Sequence, residues 1–389
     1  MKIVILGGGV AGIGSAIALT QQGFDVRVYE RHAGETHIGA GIVVWPNAAF
    51  VLQQLGVLDA IEAVSGRPKR MRRLTSGNED LGTLDIGLID RQMGHPSLSI
   101  LRRDLQRILL SRLESLGIAI EYGRHVSQVV ADADGRSVIH FEGGTPVKAD
   151  LVIGADGRMA SPSRRFVTGQ NAPVYQHFVN WIGVCESADE LFDADEIADY
   201  WGVGERFGIV PVSKHVAYWA GGAIEAAVAP REPAAYRREL MERFSAWPEP
   251  VRTVIASTPL ERINKIYVHD HDPIPVWHRD NLILIGDAAH ASLPTSGQGA
   301  CQALEDAWHL ADCLARHPGD APHALQTFTE TRAGKTAAIT MAGRALAASI
   351  FNADADFCRE RNRGSRSADF AAMATAMARG WSQHLPLQA

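Results

Sequence analysis

The chain has 389 residues, of which 46% are hydrophobic and 21% charged, and its formal net charge is −6 at pH 7. This length and composition predict two or three globular domains with a sizeable core and exclude a disordered chain. The acidic balance argues against nucleic-acid binding, which usually needs a basic face. The four cysteines are scattered and form no C-x-x-C pair, so we expect neither a disulfide framework nor a zinc site, and a cytoplasmic location. No apolar stretch reaches the roughly 18 residues of a membrane span, so no membrane partner is expected.

The first thirty residues carry the most informative pattern. A β-rich run, Lys2–Leu6, precedes Gly7–Gly12, which reads G-x-G-x-x-G; a helix pattern over Ile13–Gln22 and a strand, Asp25–Tyr29, then lead to Glu30. Glycines at this spacing allow a tight turn and let backbone N–H groups approach a pyrophosphate at a helix N-terminus. A carboxylate at the end of the second strand accepts hydrogen bonds from ribose hydroxyls. The unit predicts dinucleotide binding rather than a chance glycine turn, and it does not distinguish NAD from FAD.

Short strands and two amphipathic helices follow. One helix is predicted to end at Leu55, and another spans Leu101–Leu116, whose apolar residues fall on one face. Residues 71–97 are expected to be irregular and strand-like. Further strands are predicted at 118–122, 126–132, 137–142 and 151–153, with Asp134-Gly135 as a hairpin turn.

The segment 176–265 has a different pattern, because its short alternating runs indicate a separate, mainly antiparallel sheet. A helix over Pro233–Trp247 is expected to cover that sheet. A buried strand at Asn281–Ile285 and a helix over Gln298–Arg316 follow, and the remainder is largely helical. The parallel-type strands lie far apart in the chain, so the nucleotide domain is predicted to be assembled from separate pieces.

Three glycine–acid motifs stand at the ends of predicted strands. They are Gly7–Gly12 with Glu30, Gly154-Ala155-Asp156-Gly157, and Gly286-Asp287-Ala288-Ala289-His290, which is followed by P-T-S-G-Q-G at 294–299. Ligands of open α/β sheets bind beyond the carboxyl ends of the strands. Each of the later motifs alone is compatible with an ordinary turn, but three in this order predict convergence on one extended ligand.

This ordered set resembles the single-component, FAD-dependent aromatic hydroxylases, which are class A flavoprotein monooxygenases. The resemblance runs from Met1 to about residue 335, and it is nearest to urate hydroxylases and 6-hydroxynicotinate monooxygenases through V-V-W-P-N at 43–47 and Val179-Asn180-Trp181. It implies an α/β fold in which a discontinuous Rossmann-like FAD domain of the glutathione-reductase type carries an inserted antiparallel substrate domain and a helical C-terminus. The expected boundaries are 1–70, 98–175 and 266–345 for the FAD domain, 71–97 and 176–265 for the substrate domain, and 346–389 for the C-terminal segment.

The resemblance also assigns cofactor contacts. Gly7, Gly9 and Gly12 would cradle the FAD pyrophosphate, Glu30 would hold the adenosine ribose, and Arg31 would lie near the adenine. Arg102 would reach the pyrophosphate side of the cofactor, and Asp287 would bind hydroxyls near the pyrophosphate or on the ribityl chain. Asp156 would contact both FAD and NAD(P)H. The helix start at Gly297, Gln298, Gly299 and Ala300 would face the N1–C2=O end of the flavin, where a reduced ring carries negative charge. Val126 is the remaining residue that the resemblance assigns to cofactor binding.

The resemblance further implies the chemistry. In this class NAD(P)H reduces FAD, the reduced flavin captures O2 as a C4a-hydroperoxide, and the distal oxygen passes to an electron-rich ring. The implied partners are FAD, NADH or NADPH as a transient co-substrate, O2, and a small aromatic or N-heteroaromatic substrate. No second strand–glycine–helix unit occurs in the sequence, so a dedicated nicotinamide domain is not expected. A monomer or a homodimer without a metal site is expected.

The substrate site is expected between the flavin ring and the 176–265 sheet. Spacing matched to the urate-type enzymes favours Arg206 as the partner of an anionic substrate and Tyr218 as a hydrogen-bonding group; the alternatives are a surface charge and a packed aromatic. Pro294 would place backbone carbonyls near the reactive edge of the flavin. Thr295 stands where urate hydroxylases carry an Asp base, which argues against urate as the substrate.

Other interpretations remain open. The segment after Asp156-Gly157 carries one extra residue compared with the family, so nicotinamide contacts by Arg158 or Arg164 are unsettled by sequence. The alternative functions are a flavin-dependent reductase or oxidase that transfers no oxygen, and a non-catalytic redox sensor, against which the P-T-S-G-Q-G segment argues. A catalytic His290, a reactive Cys301 and a metal at 269–272 are weaker hypotheses than packing or a solvated loop.

Overall fold

Two β-sheets, of six and seven strands, organise the part of the chain that the computed structural model describes, residues 1–34, 40–133, 136–230 and 232–387. In chain order the strands are β1 (Lys2–Leu6), β2 (Asp25–Tyr29), β3 (Gly41–Val44), β4 (Arg70–Thr75), β5 (Asp80–Asp85), β6 (Leu98–Leu101), β7 (Ile120–Glu121), β8 (Val126–Ala131), β9 (Ser137–Phe141), β10 (Val147–Lys148), β11 (Leu151–Gly154), β12 (Val174–Glu186), β13 (Glu196–Trp201), β14 (Glu205–Pro211), β15 (Val216–Ile224), β16 (Asn264–Asp270), β17 (His278–Arg279) and β18 (Leu282–Leu284). The helices are α1 (Val10–Gln21), α2 (Pro46–Gln54), α3 (Leu58–Glu62), α4 (Ile86–Met93), α5 (Arg102–Ser115), α6 (Pro162–Thr168), α7 (Tyr236–Arg243), α8 (Glu249–Ser257), α9 (Asp287–His290), α10 (Gly299–Arg316), α11 (Ala321–Ile350), α12 (Ala355–Arg366) and α13 (Phe370–Ser382).

The six-stranded sheet has the order β17-β18-β11-β1-β2-β7, and every neighbouring pair is parallel except β17–β18. Its central strand β1 is an almost fully buried apolar run, as expected for a parallel strand covered on both faces. Helix α1 packs closely on α10: a Cβ on Gly14 would lie 3.4 Å from the side chains of Leu304 and Ala307. Because β1, β11 and β18 come from distant parts of the chain, the predicted discontinuous α/β fold is confirmed.

The seven-stranded sheet has the order β16-β12-β15-β14-β13-β4-β5 and is antiparallel except for the pair β13–β4. One face packs on α7 and α8 through aromatic side chains; Phe207, for example, contacts both Trp219 and Phe244. Side chains alternate along each strand, so Arg206 and Tyr218 lie on the opposite face. We call this second face the inner face, because Tyr218 contacts Gly41 of β3, outside the seven-stranded sheet.

The structure differs from the sequence predictions in two places. Residues 71–97 were expected to be irregular and strand-like; the strands are present, as β5 and most of β4, but the helix α4 was not predicted. Asp85 caps α4 by accepting a hydrogen bond from the Leu88 N–H at 2.9 Å. The helix expected over Pro233–Trp247 is shorter, because α7 ends at Arg243 and a new helix, α8, starts after Pro248. The predicted turn at Asp134-Gly135 lies outside the described residues.

From Gly299 onward all the described secondary-structure elements are helices. Helix α11 is 30 residues long and runs across the expected boundary at 345/346 without a break, and β12 and β16 likewise cross the expected boundaries at 175/176 and 265/266. None of the described helices has both the length and the apolar composition needed to cross a membrane.

Helix α11 is tied to β16 by one buried carboxylate. Asp270, which is fully buried, accepts hydrogen bonds from Arg344 Nε at 2.7 Å and Nη2 at 2.9 Å, while the more exposed Asp272 accepts from Nη1 at 2.8 Å. We expect Asp270→Asn to lower the free energy of unfolding by about 3 kcal/mol, because a buried ion pair loses one partner. Urea unfolding measures the change, and Asp272→Asn is the control, with an expected loss below about 0.5 kcal/mol. Equal effects of the two variants would contradict the assignment.

Candidate active site

The turn after β1 brings three pieces of backbone into contact. Gly7 has a φ of +116°, and a Cβ there would lie 2.2 Å from the carbonyl oxygen of Ala155. A Cβ on Gly12 would lie 1.9 Å from the carbonyl oxygen of Gly7. Glycine is therefore required at both positions, and the close approach directs the N-terminus of α1 along the carboxyl edge of the sheet. Gly9 precedes α1 without a side-chain cap, and its Cβ position faces open space.

Glu30 lies at the end of β2, beside this turn. Its carboxylate accepts hydrogen bonds from the Gly8 N–H at 2.6 Å and from the His32 N–H at 2.9 Å, and it contacts His32 Nδ1 at 2.6 Å. Burial alone would raise the pKa of Glu30, but these hydrogen bonds outweigh it and lower the pKa below its ordinary value. The edge of the glycine turn thus carries a fixed negative charge.

The second motif is held by its own helix. Asp156 accepts hydrogen bonds from the Ser163 N–H at 3.0 Å and from the Ser161 hydroxyl, at the start of α6. Burial raises the pKa of Asp156, against the effect of these hydrogen bonds. Arg164 of the same helix is buried and donates to the carbonyl oxygens of Ala288 and Ala289, at 2.8 and 3.0 Å. The second and third motifs are therefore joined directly.

In the third motif, Asp287 lies near Arg158, which belongs to the segment that carries one extra residue compared with the family. The carboxylate of Asp287 pairs with Arg158 Nη1 at 2.7 Å, and both side chains are partly exposed. Gly286 has a φ of +55°, and a Cβ there would lie 2.8 Å from the Ala11 side chain in α1. Strands β2, β1, β11 and β18 are neighbours in the sheet, so the three motifs share one edge, as predicted.

The loop before α10 is held from the side of α2. Trp45 donates its indole N–H to the Gly297 carbonyl oxygen at 3.0 Å, and Asn47 donates its amide to Gln298 Oε1 at 2.9 Å. Two buried polar atoms at this point have no partner within the described part of the protein, Asn47 Oδ1 and Gln298 Nε2. Helix α10 starts at Gly299 and Ala300 with neither a side-chain cap nor an acidic residue in its first turn. Buried donors and acceptors without a partner are rare in proteins, which marks this loop as a place for a polar ligand.

The inner face carries the predicted substrate residues. Arg206 donates from Nε to Asp199 Oδ1 at 2.6 Å, and Asp199, almost fully buried, also accepts the Trp201 indole N–H at 2.9 Å. Arg73 lies over the Trp201 ring, 4.5 Å from its centroid. The neighbouring Gly208 lies in register with Asp199 and Ala220, and its Cβ position has no described heavy atom within 4 Å.

Tyr218 is buried on the same inner face. Its ring occupies the space where a side chain at Gly41 would fall, since a Cβ there would lie 2.0 Å from Tyr218 Cδ1. Burial raises the pKa of the phenol well above its ordinary value. Tyr218 therefore remains a neutral hydrogen-bonding group at any physiological pH.

The remaining predicted residues lie at the periphery of these contacts. Arg31 and Arg102 are exposed, and Val126, at the start of β8, packs partly buried against the main core. Pro294 is exposed, and its carbonyl oxygen accepts the Gly297 N–H at 3.0 Å in a short 3₁₀ turn.

The structure does not favour a catalytic His290, a reactive Cys301 or a metal at 269–272. His290 is buried and lies 2.5 Å from Asp306 Oδ2, against the Trp277 ring. Burial raises the pKa of Cys301 to about 12, so its thiol is not activated. In the 269–272 segment, Asp270 is bound by Arg344, and no group of three or more ligating side chains that could hold a metal occurs among the described residues.

A buried charge cluster beneath the Gly297–Gln298 loop was not predicted from the sequence. Arg332 Nε donates to Asp306 Oδ1 at 2.8 Å, and Lys335 Nζ donates to Glu305 Oε2 at 2.8 Å; all four side chains are nearly or wholly buried. Asn47 also donates to Glu305 Oε1, at 2.6 Å. The available signal was the pair Glu305-Asp306 within a helix whose other residues are largely apolar.

Residues 1–342 match the family described as FAD binding domain. The protein belongs to this FAD-binding family. The flavoprotein is 33% identical over 350 residues to an FAD-dependent urate hydroxylase of Mycolicibacterium vanbaalenii, covering 88% of this chain and 87% of the relative. It is 30% identical over 322 residues to a 6-hydroxynicotinate 3-monooxygenase of Pseudomonas fluorescens, covering 80% and 82%.

A solved structure agrees with these relatives. Klebsiella pneumoniae HpxO, in complex with FAD and uric acid, superposes on the flavoprotein with a TM-score of 0.90 and 27% identity, over 98% of this chain and 97% of that one. The predicted membership in the class A flavoprotein hydroxylases, and with it an FAD-dependent monooxygenase, is therefore confirmed.

FAD fits the residues that the flavoprotein presents. The open space at Gly9 and the uncapped start of α1 suit a pyrophosphate. The isoalloxazine ring offers both carbonyl and N–H groups, and the unpartnered Asn47 Oδ1 and Gln298 Nε2 supply an acceptor and a donor beside α10. FAD is thus compatible with both ends of the shared edge.

The substitution Gly9→Ala tests the proposed pyrophosphate contact without disturbing the fold. The Gly9 φ is −84°, which alanine adopts freely, and its Cβ would have no described protein atom within 4 Å. We expect Gly9→Ala to leave the unfolding midpoint of the apoprotein unchanged and to weaken FAD binding by at least about tenfold. Flavin fluorescence titration and thermal unfolding measure the two effects. For comparison, Gly12→Ala should lower both the unfolding midpoint and the affinity for FAD. Unchanged FAD affinity in Gly9→Ala would show that the pyrophosphate does not lie over this turn.

Proposed function

We propose that this flavoprotein is an NAD(P)H-consuming monooxygenase that hydroxylates a small, anionic aromatic or N-heteroaromatic molecule. The observation that carries the proposal is Arg206, which stands on the inner face with its Nε fixed by Asp199. No described residue pairs with its two terminal nitrogens, so they are available to a carboxylate or an ionised heterocycle. Arg73 adds a second positive charge beside the same Asp199. The relatives named for urate and 6-hydroxynicotinate act on anionic rings of this kind.

The cofactor contacts follow from the shared edge. The proposal assigns the pyrophosphate to the turn at Gly7, Gly9 and Gly12 and the ribose to Glu30. It assigns the flavin ring to the loop from Gly297 to Ala300, beside Asn47. A bound flavin supplies the redox chemistry by taking a hydride from NAD(P)H and activating O2 at its C4a atom.

The protein's own groups then bind and orient the substrate. Arg206 pairs with the anion, and Tyr218 donates or accepts a hydrogen bond as a neutral phenol. Thr295 does not act as a base, since its hydroxyl donates to the Gly343 carbonyl oxygen at 2.8 Å. With no base at this position, the substrate needs a ring already activated by a hydroxyl or amino substituent, which argues against urate.

The arrangement of Arg158 bears on the nicotinamide co-substrate. Arg164 is fully engaged with backbone carbonyls, whereas Arg158 is partly exposed and paired only with Asp287 among the described residues. Of the two, Arg158 is the candidate for a contact with NAD(P)H. A cytoplasmic location and a monomeric or homodimeric state stay predictions.

Oxygen labelling tests the proposed reaction. The FAD-loaded protein is assayed for NADH and NADPH oxidation with urate, 6-hydroxynicotinate and hydroxylated or aminated benzoates, and products are analysed after reaction under 18O2. We expect substrate-stimulated oxidation and one labelled oxygen atom in the product. Product without label would assign the protein to the reductases or oxidases, and the absence of any stimulation would favour the redox sensor.

Arg206 is expected to control substrate affinity. Arg206→Gln removes a charge-assisted hydrogen bond and should raise the KM of an anionic aromatic substrate by about 10- to 100-fold. The FAD dissociation constant should stay unchanged. Arg243→Gln is a matched control, because Arg243 belongs to α7 on the other face of the same sheet. An unchanged KM in a folded Arg206→Gln protein would contradict the proposed anion contact.

A further inference from the structure

The segment after residue 342 lies outside the region that matches the FAD-binding family, yet it returns to the loop that precedes α10. At the end of α13, the Trp381 ring contacts the Trp45 ring, with centroids 4.8 Å apart and an interplanar angle of 44°. Trp45 in turn donates its indole N–H to the Gly297 carbonyl oxygen at 3.0 Å. Two consecutive contacts therefore connect the C-terminal segment to the loop.

A second, polar route runs in parallel. Lys335 Nζ donates to the carbonyl oxygens of Trp381 and Gln383, at 2.7 and 3.0 Å, and to both carboxylate oxygens of Glu305. Glu305 Oε1 also accepts from Asn47, which holds Gln298 Oε1 at 2.9 Å. The side chains of Glu305 and Lys335 are essentially inaccessible to water, so these contacts are not screened.

The other part of the same segment is anchored on the seven-stranded sheet. The Phe370 ring fills the space above Gly82 in β5, where a Cβ would lie 2.1 Å from Phe370 Cε2. Arg361 of α12 donates to the Gly202 carbonyl oxygen at 3.0 Å, beside the strand that carries Asp199 and Trp201. The segment thus contacts the sheet that presents Arg206 directly and reaches the loop at Gly297 through Trp45.

We propose that residues 355–387 act as a positioning strap, which holds the Gly297–Gln298 loop through Trp381 and Lys335 and sets the place of the flavin ring relative to the inner face. Trp45, Trp381 and Lys335 are positioning residues in this scheme: they act through the loop and take no part in the reaction. The inference rests on FAD binding and is independent of the identity of the substrate.

Two variants, one in the strap and one in the residue that links it to the loop, test the proposal in the full-length, FAD-loaded protein. Trp381→Ala deletes the ring contact, and Trp45→Phe keeps an aromatic ring but removes the hydrogen bond to Gly297. We expect each variant to weaken FAD binding by about tenfold. We also expect each to change the visible circular dichroism of the bound flavin, because the ring surroundings change. Trp381→Phe should restore affinity to within about twofold of the parent.

Controls separate positioning from general damage. Phe357→Ala alters an exposed side chain of the same segment and should change neither FAD affinity nor the flavin spectrum. Far-ultraviolet circular dichroism and thermal unfolding of the apoproteins identify any variant that fails to fold, and Trp45→Phe, the milder change, then decides. Parental FAD affinity and an unchanged flavin spectrum in folded Trp45→Phe or Trp381→Ala would overturn the proposal. All readouts concern FAD alone, so a failure of the proposed hydroxylation leaves this test unaffected.

Discussion

The contact on which the remaining architecture depends is made by backbone alone. The turn after β1, the end of β11 and the first turn of α1 approach one another so closely that a side chain at Gly7 or Gly12 would coincide with a carbonyl oxygen. This approach fixes the direction of α1 and leaves its first N–H groups along the carboxyl edge of the sheet. Glu30, Asp156 and Asp287 then fall at the same edge, because their strands are neighbours in the sheet.

A buried group of charged side chains fixes the position of α10 in the same way that the backbone contact fixes α1. Arg332 of α11 bridges Glu305 and Asp306, and Asp306 also accepts the Gly286 N–H at 2.8 Å. Burial alone would raise the pKa of Asp306, but His290, Arg332 and this N–H lower it to about 2, so the carboxylate stays ionised. Buried ion pairs add little net stability, yet removing one partner is costly, so such a group fixes geometry. The loop at Gly297 and the third motif are thereby held on one helix.

The sequence predicted those parts of the structure that depend on local pattern. Strands β1 and β2 begin and end at the predicted residues, because apolar runs bounded by glycine or acid mark buried parallel strands. The three motifs could be placed at one edge because the carboxyl ends of neighbouring parallel strands lie at the same edge of a sheet. Contacts between residues far apart in the chain produce no such local pattern in the sequence. Trp45 and Asn47 were recognised only as part of a motif, since their partners, Trp381 and Glu305, lie on helices far along the chain. The role of Asp199, which orients Arg206, was not predicted either, although the two residues are close in the chain, because their contact depends on how β13 pairs with β14.

Gly208 shows how such a scaffold could change the molecules it accepts. On the inner face, beside Arg206, its missing side chain leaves a vacancy that no described protein atom fills. In the proposed substrate site, each carbon added at this position would reduce the space for the substrate without contacting a described protein atom. A single substitution at position 208 would then narrow the range of rings that fit beside Arg206 at little cost to folding, so that relatives with one fold can differ in the substrates they accept.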